Sequence, residues 1–308
     1  MTDTIVVSNR HAGRDKLLAH LAMLAFSAMI AGAFTTGALA VPYIAPVPLN
    51  ALRFLLATVL MGVVAFGLAG ESPKVPPAPW RMLVLGALNA VYFVSMFIAL
   101  TMTAPVATSA VFTLIPLMTA ALGFFLLHQR VNAAVLLSLV FAGLGSVWVI
   151  FRGDLNAIAA FDVGKGELVY FVGCFCYALY APLVRRFNRG ESALVSSFWT
   201  LATATICIAL FGIRDILATD WLHLPALVWW VLAYLAVFPT ALSFFCLQYA
   251  SLRLPASKVL AYGYLTPVFV IVYEGLLGHG WASLSVAFGA LVIVLGLLVL
   301  AITPDGRD

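Results

Sequence analysis

Two apolar stretches of this sequence carry polar and aromatic side chains at a spacing that suits a binding site. In each stretch three such residues follow one another at intervals of four, so a helix would hold them within about 80° of one face. The two sets are Asn89, Phe93 and Phe97, and Thr240, Phe244 and Gln248. A face that combines amides or hydroxyls with rings could line a cavity for a small polar molecule. The alternative is that these groups only hold neighbouring helices together through hydrogen bonds.

A third stretch, residues 254–278, carries a longer polar stripe. A straight helix would collect a lysine, a threonine and three aromatic rings on one face, and Pro267 predicts a kink within it. The residues of this stripe are Lys258, Tyr262, Thr266, Phe269 and Tyr273. Such a face suits a pocket for an anionic or zwitterionic, partly flat metabolite. The alternatives are that Lys258 extends to the lipid headgroups and that the tyrosines only pack.

Two further charged residues lie inside apolar stretches, at similar predicted depth near the outer side of a membrane. They are Arg53 and Glu274. Ionisable residues at such positions usually have a function, and we expect the two to form an ion pair that opens and closes as a gate. Glu274 is also a candidate for binding a coupling proton, since a partly buried carboxyl holds its proton more readily. The alternatives are that Arg53 reaches outward to the surface and that Glu274 is wetted there.

The composition indicates that lipid surrounds most of the chain. Of its 308 residues, 64% are apolar and only 9% are charged, whereas soluble domains carry about 25% charged residues. The mean hydropathy is +1.10. Ten stretches approach the length of about 20 apolar residues that a membrane helix needs. We expect these spans near residues 17–40, 48–69, 80–101, 104–126, 133–151, 167–184, 193–213, 225–248, 255–277 and 282–302.

The sequence lacks the patterns of several other classes of protein. No P-loop, HExxH motif or convergent catalytic set is present, and we predict no enzyme activity, no cofactor and no metal site. No basic and aromatic patch indicates nucleic-acid binding. The four cysteines lie in apolar runs and predict no disulfide. Glycine-rich faces at 142–146 and 289–296, in the fifth and tenth spans, predict close packing within the scaffold or in a homodimer.

The distribution of Lys and Arg predicts the orientation of the chain. With the N-terminus in the cytoplasm, the outer loops hold only Arg152, Lys165 and Arg214. The cytoplasmic segments then hold Arg10, Arg14, Lys16, Lys74, Arg81, Arg130, Arg185, Arg186, Arg189, Arg253 and Arg307. We therefore predict a multi-pass protein of the cell inner membrane, with cytoplasmic tails at residues 1–16 and 303–308.

The chain resembles itself at an offset of 151 residues. Pro116 then falls on Pro267 and Gly145 on Gly296, and Phe93 falls on Phe244. A repeat of five helices is odd in number, so the second copy would enter the membrane upside down relative to the first. Such inverted repeats are typical of secondary transporters, whose binding sites lie near the midplane. Pro116 and Pro267, at matching positions, are candidate gating residues.

Several of these segments resemble the drug/metabolite transporter superfamily, EamA branch. The segment "LNALRFLLATVL" is similar to a motif of that family's second helix, and the segments 103–150 and 254–300 are similar to its fourth and fifth and its ninth and tenth helices. The resemblance implies an all-α membrane protein of ten helices, with inverted repeats at residues 17–152 and 166–302 joined by a loop at 153–165. The family's "GER"-like turn is absent, because Gln129-Arg130 and His279-Gly280 stand in its place.

The resemblance implies carrier-mediated movement of a small organic metabolite. We expect an amino acid or a related zwitterion or anion, moved outward by alternating access. The alternatives are import of a vitamin-like metabolite such as riboflavin and export of an opine-type metallophore. An intramembrane enzyme is the alternative from another class.

Overall fold

The computed structural model describes residues 2–127, 133–151, 153–160, 163–254 and 256–302, and over these ranges the chain is helical and contains no strand. The α-helices are α1 (Thr2–Ala40), α2 (Pro46–Gly62), α3 (Trp80–Leu100), α4 (Pro105–Phe112), α5 (Ile115–Leu127), α6 (Ala133–Ile150), α7 (Leu155–Ala160), α8 (Lys165–Phe187), α9 (Ala193–Ala218), α10 (Ala226–Ala236), α11 (Ser243–Ser251), α12 (Ala256–Ala261), α13 (Thr266–Leu276) and α14 (Leu284–Ile302).

Some predicted features fall outside the described residues. These are the turn at Gln129-Arg130 and the tail at residues 303–308. Within the described part, α1 begins at Thr2, so residues of the predicted tail 1–16 continue the helix of the first span. The predicted loop at 153–165 contains the short helix α7, and α8 begins at Lys165.

Seven helical segments of the described chain are long and apolar enough to cross a membrane. They coincide with the predicted first to fourth and sixth to eighth spans. They are Asp15–Ala40, Pro46–Leu68, Trp80–Leu100, Pro105–Phe125, Lys165–Phe187, Ala193–Ala218 and Ala226–Ser251. Two of these segments, Pro46–Leu68 and Pro105–Phe125, begin with a proline, whose missing N–H has no helical partner to lose there. The all-helical, membrane-spanning fold class is therefore confirmed for these segments.

The predicted fifth and tenth spans contain shorter apolar stretches, Leu136–Val149 and Leu284–Gly296, and they pack against each other as α6 and α14. A Cβ placed on Gly145 would lie 2.9 Å from the carbonyl oxygen of Gly289, so the two backbones are in near contact. The glycine faces of these helices are therefore used within one chain, as the scaffold interpretation expected. A homodimer through the same helices stays a prediction.

The predicted ninth span is not one kinked helix, and that part of the prediction is wrong. The chain forms α12, then a 3₁₀ segment at Tyr262–Leu265, then α13 with Pro267 in its first turn. Proline has no N–H to donate to the preceding turn, so the helix is interrupted there. Gly263 packs closely against the ring of Phe112, with 2.9 Å from a placed Cβ to Cε1. A side chain at Gly263 would push the two segments apart.

Helices from the first half of the sequence pack against helices from the second half. The helix α3 packs along α8, α2 along α9, and α1 along α10 and α11. The predicted fourth and ninth spans each consist of two helices, and these pair crosswise: α4 contacts α13, and α5 contacts α12. Most buried side chains form one apolar core, and large apolar side chains also cover the outer surface of the bundle. An apolar surface around a packed core is what a lipid environment requires.

We predict that Gly86→Ala destabilises the protein by about 1–3 kcal/mol, the usual cost of overpacking. Gly86 lies where α3 meets α9, and a Cβ there would stand 2.5 Å from the backbone nitrogen of Ala204. Gly67→Ala is the control, because a Cβ at Gly67 would meet nothing within 4 Å. The measurement is the midpoint of thermal unfolding of each variant in detergent. Equal midpoints for the two variants would contradict the close contact between α3 and α9.

Candidate functional site

The centre of the bundle holds the guanidinium of Arg53. This side chain on α2 is 0% exposed. Its Nε donates a hydrogen bond to Thr240 Oγ1 at 2.5 Å, and its Nη2 donates to the carbonyl oxygen of Pro239 at 3.2 Å. Its Nη1 has no partner. The interpretation that Arg53 reaches outward to the surface is therefore wrong, because protein encloses the whole side chain.

Aromatic rings cover the guanidinium of Arg53. Its central carbon lies 4.6 Å from the ring centre of Phe93, 5.5 Å from that of Phe97 and 5.8 Å from that of Phe54. Phe244 extends the same cluster, with its ring centre 6.2 Å from those of Phe54 and Phe93. Ring faces attract a cation, by about 2 kcal/mol or more where water is excluded. These rings therefore offset part of the cost of burying the charge.

A local irregularity in the eighth span places the acceptors for Arg53. Between α10 and α11 the chain forms a π-helix at Val237–Leu242 that contains Pro239. Thr240 Oγ1 donates to the carbonyl oxygen of Leu235 at 2.6 Å, five residues earlier, and accepts from Arg53. Proline cannot continue the regular pattern of hydrogen bonds, and single π-helical turns often occur at functional sites. The π-helix thus directs the Thr240 hydroxyl and the Pro239 carbonyl oxygen toward the guanidinium of Arg53.

Four buried tyrosines adjoin this cluster through α3 and α8. The Tyr170 hydroxyl donates to the Tyr92 hydroxyl at 2.9 Å, and the rings of Tyr92 and Tyr177 stack with centres 4.3 Å apart. Tyr180 stacks on Tyr177, and its hydroxyl accepts from Gln248 Nε2 at 3.0 Å. The sequence interpretation did not include these tyrosines. Tyr170, Cys174 and Tyr177 stand at i, i+4 and i+7, a helical stripe that the sequence does contain.

Several polar groups of this centre have no hydrogen-bond partner. The side-chain oxygens of Asn50 and Asn89 are buried without one, as is Arg53 Nη1. The amide nitrogen of Asn89 donates a hydrogen bond to the carbonyl oxygen of Leu85, one turn earlier in the same helix. Buried polar groups in a folded protein are nearly always satisfied. This concentration of unsatisfied donors and acceptors is what a site for a polar ligand presents.

The structure brings together most of the two sets predicted on the third and eighth spans. Phe93, Phe97, Thr240 and Phe244 surround Arg53, and Asn89 and Gln248 both adjoin Tyr180. Among the residues that the structure describes, no cluster of three or more His, Cys, Asp or Glu side chains could hold a metal ion.

Two residues of the stripe predicted on the ninth span, Tyr262 and Tyr273, contact α1. The Tyr262 hydroxyl is hydrogen-bonded to His20 Nδ1 at 2.8 Å, and the Tyr273 hydroxyl donates to the carbonyl oxygen of Ala28 at 3.2 Å. Thr266 is buried and its hydroxyl has no partner, and Lys258 is 9% exposed. The stripe is split because the 3₁₀ segment changes the helical phase between α12 and α13.

The structure does not bring Arg53 and Glu274 together. Glu274 Oε2 lies 2.8 Å from His279 Nδ1, in the turn that follows α13. No carboxylate of the described residues lies within ion-pairing distance of Arg53. Each residue has its own partners here, and a gate formed by the pair stays a prediction for another conformation.

Polar contacts join α3 and α8 at both of their ends. At one end Arg81, which is buried, pairs with Glu191 at 2.8 Å and also donates to the carbonyl oxygen of Phe187. At the other end the Thr103 hydroxyl donates to Glu167 at 2.6 Å. Burial raises the pKa of Glu191, but hydrogen bonds from the Arg189 backbone N–H and from Arg81 outweigh it and lower the pKa below its ordinary value.

A family model matches almost all of this chain. The description of that family is "EamA-like transporter family", and the matched residues are 17–151 and 164–302. The chain belongs to the EamA-like transporter family. It is thus a multi-pass membrane protein of a transporter family, as its long apolar helices also indicate.

Relatives of this EamA-like protein carry transporter names. The Uncharacterized transporter YyaM of Bacillus subtilis (strain 168) is 27% identical over 284 residues, which cover 91% of this chain and 92% of that protein. The Uncharacterized transporter YetK of the same organism is 20% identical and covers 86% of this chain and 81% of that protein. One crystal structure superposes with a TM-score of 0.70 at 20% identity, over 94% of this chain and 97% of that chain. That likeness shows a shared fold.

We predict that Thr240→Val lowers the free energy of unfolding of this EamA-like protein by about 1.5–3 kcal/mol, the usual worth of a hydrogen bond to a charged group. The valine keeps the shape of the side chain but leaves Arg53 Nε without its acceptor. Thr240→Ser is the matched control, because it restores the hydroxyl. Chemical denaturation in detergent measures both. If the valine and serine variants are equally stable, Thr240 does not stabilise the cation.

We predict that Glu191→Gln destabilises the protein near neutral pH and much less in acid. The folded-state pKa of Glu191 is lowered, so its stabilising effect is present above the unfolded pKa of about 4.3 and is lost as pH falls through the folded pKa. The measurement is the difference in unfolding midpoint between wild type and variant across that range. Asp215→Asn, which removes an exposed carboxylate remote from this pair, is the matched control. A constant difference at every pH would contradict the role of the Arg81–Glu191 pair.

Proposed function

We propose that this protein is a secondary transporter of the cell inner membrane that moves a small organic metabolite outward by alternating access. The substrate class is an amino acid or a related zwitterion or anion. The observation that supports this most directly is the buried polar centre around Arg53, which lies inside a bundle whose outer surface is apolar. Polar groups with unsatisfied hydrogen bonds are costly in such a place. A passing polar substrate would satisfy them.

The packing of the helices supports an architecture of ten helices in two inverted repeats. Suppose that the first predicted span is exchanged with the sixth, the second with the seventh, and so on to the fifth and tenth. Each pair of helices that pack together then becomes another pair that also packs together. The pair α3 and α8 becomes the pair formed by α10–α11 and α1, and the contact of α4 with α13 becomes that of α12 with α5. The pairs α2 with α9 and α6 with α14 map onto themselves. Such exchange symmetry is expected when two equivalent halves meet around a central site.

The position of the site between the halves supports alternating access. Arg53 and the rings of Phe93 and Phe97 come from the first half, whereas Thr240 and Phe244 come from the second. Movement of one half against the other therefore breaks and forms contacts at the site itself. The breaks before Pro116 and Pro267 lie where the two halves cross, at the turn after α4 and the 3₁₀ segment before α13. We propose these two breaks as the hinges of that movement.

The first experiment compares the metabolites of medium and cells with and without this protein. An exporter raises specific compounds in the medium and lowers them in the cells, and an importer does the reverse. The compounds that change are then loaded into proteoliposomes that contain only the purified protein. Flux down a gradient supports a carrier. A compound that is chemically converted instead would support an intramembrane enzyme.

We predict that Asn89→Ala lowers that flux by about tenfold, which corresponds to the loss of one hydrogen bond to a substrate. The side-chain oxygen of Asn89 is buried without a hydrogen-bond partner, whereas its amide nitrogen donates to the Leu85 carbonyl, so the unfolding midpoint of the variant is measured beside its flux. Asn156→Ala, at an exposed position on α7, is the matched control. Both rates are measured at equal amounts of reconstituted protein. Unchanged flux in Asn89→Ala would remove Asn89 from the path of the substrate.

A further inference from the structure

We propose that Arg53 is the anchor for a carboxylate of the substrate and that the site accepts a monoanionic carboxylate or a zwitterion with an aromatic or flat apolar group. This inference deepens the proposed transport function, and it rests on that function in treating the bound anion as a substrate. The binding site itself rests on the geometry of Arg53, which holds whether or not transport follows.

The first step of the argument is the charge of Arg53. A guanidinium stays protonated in proteins, and this one is enclosed by protein on every side. Its ring contacts and its two hydrogen bonds come from neutral groups, Thr240 and Pro239. No carboxylate of the described chain lies within ion-pairing distance. A buried cation without a counter-ion is rare because burial is costly unless the charge is paired. The missing partner is an anion.

The second step is the geometry of the free edge. A guanidinium has five N–H groups, one on Nε and two on each terminal nitrogen. Arg53 uses the one on Nε and one on Nη2, and Nη1 makes no hydrogen bond. The end-on edge formed by Nη1 and the second hydrogen of Nη2 is therefore available. Two parallel N–H groups match the two oxygens of a carboxylate.

The third step is the choice between a carboxylate and a phosphate as the anion that binds Arg53. Phosphate esters carry close to two negative charges at neutral pH, and Arg53 is the cation that the described structure places in this centre. One guanidinium balances one carboxylate. The surroundings are ring faces of Phe93, Phe97 and Phe54, and beyond them the tyrosines of α3 and α8. These surfaces suit an aromatic or flat apolar group attached to the carboxylate.

The rings also close over the guanidinium in this structure, and this determines how a ligand reaches it. Phe54, Phe93 and Phe244 lie in mutual contact with ring centres 5.0–6.2 Å apart. Phe244 belongs to the second half and the other two to the first. Separation of the halves therefore opens the stack and exposes the free edge of Arg53 at the same time.

The test is binding to the purified protein in detergent, measured as the shift of its unfolding midpoint with probe concentration. The probes are matched pairs that differ in charge but little in shape: benzoate with benzamide, 3-phenylpropanoate with 3-phenylpropanamide, and phenylalanine with phenylalaninamide. Phenyl phosphate is added as the competing anion. We expect at least one carboxylate to bind about tenfold or more tighter than its amide, the usual effect of a hydrogen bond to a charged group.

Variants locate the effect at Arg53. Arg53→Gln should bring the ratio of carboxylate to amide affinity close to one, and Arg53→Lys should leave an intermediate ratio, because lysine keeps the charge but not the planar fork. Arg253→Gln is the control, since Arg253 is exposed and stacks on Tyr249 at 3.7 Å. Its ratio should equal that of wild type. Should Arg53→Gln fail to fold, the wild-type pairs and Arg53→Lys still decide.

Several results would overturn the inference. They are equal affinity for carboxylates and amides in wild type, tighter binding of phenyl phosphate than of every carboxylate, and a preference that survives Arg53→Gln. Absence of binding by every probe counts against it as well. The two proposals can be contradicted separately. Carboxylate binding without flux in proteoliposomes would contradict the carrier proposal alone. Flux of compounds that lack a carboxylate would contradict only the proposal that Arg53 anchors a carboxylate.

Discussion

The burial of one guanidinium is the constraint on which the rest of the centre depends. Desolvating an ion costs several kcal/mol even after the protein relaxes. Arg53 recovers part of this through hydrogen bonds to Thr240 and Pro239, each worth about 1.5–3 kcal/mol where one partner is charged. Ring faces supply a further share. The arrangement of α2, α3 and the eighth span around this group follows from the need to surround a cation that cannot lose its charge.

Two irregular backbone segments lie in the buried part of the bundle. The π-helix at Val237–Leu242 contains both groups that accept hydrogen bonds from Arg53, the Thr240 hydroxyl and the Pro239 carbonyl oxygen. The 3₁₀ segment at Tyr262–Leu265 interrupts the ninth span where Gly263 meets Phe112. Non-helical backbone inside a membrane is tolerated only when protein or water satisfies it. In both of these segments the buried residues lie against other helices of the bundle, which supply such partners.

Hydrophobic runs and prolines predicted the long spans well, because a membrane helix is specified locally by its own apolar length. The break in the ninth span could not be read in the same way. Pro267 predicts an irregularity there, but the 3₁₀ segment also places Gly263 against Phe112, a contact between residues far apart in sequence. The sequence identified Arg53 as a charge inside an apolar helix but predicted a different partner for it, since position along a helix does not say which face meets protein. Asn50, Arg53 and Ala57, all buried, share one face and were the available signal.

The chemistry of the centre is asymmetric although its frame is nearly symmetric. At the repeat offset of 151 residues, Arg53 corresponds to Ala204, a buried small residue that lies against Gly86. One half thus supplies the cation on α2, and the matching position on α9 supplies room for close packing. The acceptors that hold Arg53 come from the bulged eighth span. Because α2 and α9 pack against each other and only α2 carries a cation at this matching position, an anion bound as we propose would find its partner on α2 and none at the matching position of α9.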